Sequence, residues 1–177
     1  MDSQTATMRQ ARTLVRLALW TAVGVVLGGL ERLIPQPIPW AKLGIANLAA
    51  IIVLYGYGWR SALLVNVARV LTVALFLGSW ATPVFVLSLG GAIVSVPAMA
   101  FVRSVGGRHV SVIGVSAVGA FVHMLTQFGI ASILIAQHGG LFIFAGPSLL
   151  AAIISGVLMG LLASFLLNRL PDALIQQ

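Results

Sequence analysis

Acidic residues are nearly missing from this chain of 177 residues: Asp2, Glu31 and Asp172 are all it has. Metal-dependent diphosphate chemistry needs clustered carboxylates to hold Mg²⁺, and these three stand far apart in the sequence. Cysteine is absent altogether, which excludes disulfides, thiol catalysis and thiolate metal sites. Charge of either sign makes up 7% of the residues, against roughly 25% in a soluble domain. So few charges cannot cover the surface of a globular chain, and a soluble fold is excluded. Disorder and nucleic-acid binding fall with it, since both need a polar, charged chain. What is abundant is apolar: 60% of the residues are hydrophobic and the mean hydropathy is +1.09. The class is a polytopic, all-α membrane protein.

The formal net charge of +7 reports topology rather than an anionic partner. Arg9, Arg12, Arg16, Arg60, Arg103, Arg108 and Arg169 flank apolar stretches and form no patch. A spanning helix needs about 20 mostly apolar residues, and the sequence predicts six spans. They run from about Leu14 to Ile34, Leu43 to Tyr57, Ser61 to Leu77, Pro83 to Val102, Val110 to Ala136 and Leu141 to Leu167. The second is short, which allows a tilted, extended or partly interfacial element. The first ends in Glu31-Arg32-Leu33-Ile34-Pro35 without a small-residue cleavage site, so it reads as an uncleaved span and not a signal peptide. One transmembrane domain, 14–168, is then expected between a short N-terminal segment, 1–13, and a short tail, 169–177.

Basic residues stay on the cytoplasmic side of short loops. With the N-terminus inside, the seven arginines named above are cytoplasmic, and Arg32 and Lys42, offset by Glu31, are external. Both termini are therefore expected in the cytoplasm of a bacterial plasma membrane. Pro35-Gln36-Pro37-Ile38-Pro39-Trp40 predicts a stiff, extended external loop. Thr82-Pro83 predicts an N-cap followed by proline at the first helical position.

Polar residues within the spans are the candidate functional groups. Arg69 sits in mid-span, three residues after Asn66, so the two share a helix face. An uncompensated arginine there costs at least about 2.5–3.5 kcal/mol on insertion scales, so a carboxylate, carbonyl, water or ligand must answer it. One reading pairs it with Glu31 and pins two helices, with Asn66 alongside; another has it bind an anionic ligand. The two readings are compatible. Gly119, His123 and Gln127 form one stripe on the fifth span. Interhelical hydrogen bonding accounts for such side chains without a ligand. Their depth, shared with Arg69 and Asn47, predicts instead a cavity between helices, with Lys42 and Trp40 at its mouth. On the first span, Ala18 and Ala22, and Gly24 and Gly28, are small residues four apart that allow close helix packing.

No enzyme site emerges, and no cofactor or metal is expected. There is no phosphate-binding glycine loop, His109, His123 and His138 lack ligand spacing, and a Ser-His-acid triad would have to draw on Glu31.

Lys42-Leu-Gly-Ile-Ala-Asn47 after the proline-rich loop, and Gly119-Ala-Phe-Val-His123-Met-Leu-Thr-Gln127, carry a family resemblance. With Arg69, Leu87-Ser-Leu-Gly-Gly91 and six spans, the chain from about Arg12 to Leu167 resembles the Gx transporter family. That family is also labelled heptaprenyl diphosphate synthase component I, and is similar to the substrate-binding S components of energy-coupling factor (ECF) transporters. The resemblance implies a six-helix bundle with a small-molecule site open to the outside. It further implies that Ala18 and Ala22, matching an AxxxA motif, face a transmembrane coupling subunit that works with ATPase subunits. The aspartate-rich motifs of prenyl synthases are absent, so the synthase label implies at most an accessory subunit of polyprenyl diphosphate or quinone synthesis. Metal-carrying S components use an N-terminal histidine where this chain has Met1-Asp2, which speaks against a metal substrate. The expected role is uptake of a small organic molecule: a vitamin, a flavin-related compound, or a quinone or isoprenoid precursor. A structural or assembly partner of a membrane redox complex is a further reading. Membrane lipid surrounds the chain in each of these, and nucleic acid has no part.

Overall fold

The computed structural model describes residues 2–33, 44–134 and 142–171. These residues form six α-helices and a short 3₁₀ turn at Gly107–His109, with no strand among them. The helices are α1 (Asp2–Leu33), α2 (Asn47–Tyr57), α3 (Trp59–Phe76), α4 (Pro83–Gly106), α5 (Val112–Leu134) and α6 (Phe142–Leu167). Five of them, all but α2, are long and apolar enough to cross a membrane. The chain is a multi-pass helical membrane protein.

The expected count of six full spans is corrected at α2. Its 11 residues rise only about 16 Å at 1.5 Å per residue, half of a hydrocarbon core of about 30 Å. It is the innermost helix, touching α1, α3, α4 and α6. Eight of its residues are buried, Leu48 to Leu54 without a break and Gly56. A helix that is apolar all round is read as a span or as a buried core helix, and here the protein itself supplies the apolar surroundings.

Both ends of α2 meet a charge of the sign that its dipole favours. At the N-terminal end, the Glu31 carboxylate accepts hydrogen bonds from the Gly44 N–H at 2.6 Å and the Ala46 N–H at 3.5 Å. At the other end, Arg103 donates to the Leu54 carbonyl, with its guanidinium carbon 4.2 Å from the Tyr55 ring centroid. These side chains answer backbone groups that a helix terminus leaves unpaired. Gly58, at φ +84°, then turns the chain sharply into α3, a conformation that costs a glycine little.

Elsewhere the helices follow the sequence closely. The hydroxyl of Thr82 accepts from the Phe85 N–H at 3.3 Å with Pro83 opening α4, which is the predicted cap. α4 and α6 carry internal prolines, Pro97 and Pro147. α1 begins well before the predicted Leu14, at Asp2. Within the bundle α5 packs most extensively on α6 and α4, while α1 rests on α2 and α3.

Candidate functional site

A cavity of about 130 Å³ opens where α1, α3 and α5 run toward their ends and α2, α4 and α6 begin. All six helices contribute to its wall. Glu31 and Gly28 come from α1, Asn47 from α2, Arg69 from α3, Phe85 and Ser88 from α4, His123 and Gln127 from α5, and Ser155 from α6. At about 30 Å³ per water in the liquid, that space holds about four water molecules or a small organic molecule of similar bulk.

Arg69 dominates the polar wall. Its aliphatic stem crosses Gly24: a Cβ there would lie 3.0 Å from Arg69 Cδ, and one at Gly28 would lie 3.9 Å from Nη1. Gly24 therefore gives room to the stem of an arginine that reaches the cavity from α3, while the nearest atom to a Cβ at Gly28 is Ala46 Cβ at 3.4 Å. Its Nη2 donates to Asn66 Oδ1 at 2.9 Å and to Asn47 Oδ1 at 3.4 Å. Asn66 is buried and donates in turn to the Ala92 carbonyl at 3.3 Å. The guanidinium is thus oriented by two neutral amides, one of them anchored to α4.

Glu31 lines the same cavity, yet no hydrogen bond joins it to Arg69 among the described residues. Both carboxylate oxygens are engaged by the amides ahead of α2. Glu31 ties α1 to the α2 N-terminus, and Asn66 ties α3 to α4. In the Glu31–Arg69 pair considered from the sequence, both residues line the cavity, while the carboxylate's hydrogen bonds come from the Gly44 and Ala46 amides.

His123 stands beside Gly91 of α4, where a Cβ would fall 2.7 Å from the imidazole Cε1. Glycine at that position gives the ring its room. The stripe predicted on α5 divides in space: His123 and Gln127 line the cavity, whereas Gly119 sits deeper, with a Cβ there only 2.5 Å from Met99 Sδ. The lining also includes the apolar side chains of Val70, Val73, Val84, Phe85 and Met124. Trp80, half exposed, leans on Phe85 with ring centroids 5.1 Å apart.

The structure therefore brings Asn47, Arg69, His123 and Gln127 together around one space. Lys42 and Trp40, placed at its mouth from the sequence, lie outside the described residues. Ala18 and Ala22 are exposed on α1, away from the cavity. Sequence reasoning missed Ser79, Ser88 and Ser155 as lining groups, and Glu31 as more than a helix-pairing residue. A serine hydroxyl is tolerated anywhere in a membrane helix by bonding back to its own turn, so it gives no distinctive signal.

No curated protein and no solved structure matches this chain. The model of one protein family does, over residues 20–166, a stretch that holds every described residue lining the cavity. On that match the chain belongs to the heptaprenyl diphosphate synthase component I family.

Proposed function

We propose that this protein is the substrate-binding subunit of an uptake system, similar to an S component, and that it captures a small organic molecule without transforming it. The observation that carries this reading is the cavity, where side chains from all six helices converge on one space at one end of the bundle. Polar groups at membrane depth are costly unless they are answered, and a polar ligand answers several at once.

Orientation supports the same reading. Arg12, Arg16, Arg60, Arg103, Arg108 and Arg169 belong to the opposite end of the bundle from the cavity. The positive-inside rule assigns that end to the cytoplasm, so the cavity opens outward, where a molecule to be imported arrives. The energy then comes from separate ATPase and coupling subunits, and the exposed small face at Ala18 and Ala22 suits close approach of a coupling helix. A second reading rests on the family's description: an accessory membrane subunit of polyprenyl diphosphate synthesis.

The test is mass spectrometry of small molecules retained by the purified protein, together with identification of the proteins that copurify. A retained water-soluble compound with ATPase subunits supports uptake; a prenyl diphosphate with a soluble prenyltransferase supports the second reading and overturns the first. Single cysteines at Gln36 and Gly139 should label from outside intact cells, and those at Ser3 and Gly106 should not. The reverse pattern would turn the cavity toward the cytoplasm and defeat uptake.

A further inference from the structure

We infer that the ligand of this cavity is a small monocarboxylate with an apolar body, and that its carboxylate is bound by Arg69. The inference rests on the binding-subunit reading and deepens it. A guanidinium carries five N–H donors in a fixed planar fork. In Arg69 the Nη2 group is engaged by Asn47 and Asn66. Its Nε is buried and has no acceptor among the described residues. Buried donors left without acceptors are costly, and Arg69 itself lines an open space.

The chemistry of the wall narrows what fills that space. The two acceptors already on Arg69 are amide oxygens, which orient the guanidinium without neutralising it. Glu31, the one carboxylate among the described lining residues, is engaged by the Gly44 and Ala46 amides. Among the described residues no anion is hydrogen-bonded to Arg69, and a carboxylate matches a guanidinium in plane and spacing. A diphosphate fits poorly. It would bring several negative charges to a wall with a single arginine or lysine among its described residues. Apolar side chains, Val73, Val84, Phe85 and Met124 among them, make up much of the remaining lining and suit an apolar body.

The test uses probes of known charge on the purified full-length protein. Benzoate and benzamide share a ring and differ in charge, so comparing them needs no variant. Benzoate should bind at least tenfold more tightly than benzamide by calorimetry and raise the thermal unfolding midpoint, while inorganic diphosphate leaves the midpoint unchanged. Arg69→Gln should remove the preference for benzoate over benzamide. Equal affinity of the two, or tighter binding of diphosphate, overturns the inference. If a molecule without a carboxylate is also retained on purification, the carboxylate assignment fails while the binding subunit stands. If no probe binds and nothing is retained, both fall.

Discussion

Two helix seams in this bundle carry the same pattern, a pair of glycines four residues apart, and use it differently. On α6, Gly156 and Gly160 press against the backbone of α5: added Cβ atoms would lie 2.8 Å from Ala117 Cα and 2.6 Å from Ile113 Cα. The Ser116 hydroxyl crosses this seam to the Gly156 carbonyl at 2.6 Å. On α1, Gly24 faces the stem of Arg69, and Gly28 faces Ala46 Cβ at 3.4 Å with Arg69 Nη1 at 3.9 Å. Close backbone approach is the usual reason for small residues four apart in membrane helices, and α5–α6 shows it. In α1 the missing side chain at Gly24 gives way to a cation brought from another helix. One seam brings two helix backbones together; the other leaves room at Gly24 for the Arg69 stem.

Substitutions can break this contrast, and the largest effect is expected on the closed seam. Gly160→Val places a branched side chain against α5 backbone that cannot rotate away, so the helices must separate. The expected loss is at least about 3 kcal/mol, the upper range for overpacking, seen as aggregation or a collapsed unfolding midpoint after solubilisation. A variant as stable as the wild type would mean that the α5–α6 seam is not the close contact described. Gly24→Ala tests the open seam. Its Cβ meets Arg69 Cδ, part of a movable side chain, and then Ala49 Cβ at 3.5 Å. The stability cost should stay near 1 kcal/mol, while benzoate binding weakens more than stability because the guanidinium is displaced. Equal loss in both measurements would make Gly24 a packing residue only. The smallest effect, and of opposite sign, is expected at Gly29, where an added Cβ meets nothing within 4 Å. Gly29→Ala should raise stability by at most about 1 kcal/mol through helix propensity. A clear destabilisation in thermal unfolding would show that this exposed face of α1 is occupied by another chain.

Much of the site was legible residue by residue. Arg69, Asn47, His123 and Gln127 stand out because a polar side chain in an apolar span is conspicuous wherever it points. Glu31 was legible as a buried acid near the end of α1, but its partners were not. Those partners are backbone amides of Gly44 and Ala46, groups that every residue carries and that no sequence pattern marks. Ser155 was silent for a related reason, and Gly28 was legible only as one of a packing pair, since small residues occur throughout membrane helices.

The sequence by itself determined the membrane class, the long spans and the separation of the arginine-rich end from the other. It also settled details such as the Thr82–Pro83 start of α4. These follow from hydrophobicity, length and capping, which depend on neighbouring residues along the chain. Tertiary structure alone decided that α2 is a short inner helix and that Gly24 makes room for an arginine whereas Gly160 meets backbone. It alone decided that Glu31 and Arg69 line one wall without bonding each other. Those outcomes depend on the rotation and depth of each helix against its neighbours, and rotation is set by packing among residues far apart in the chain.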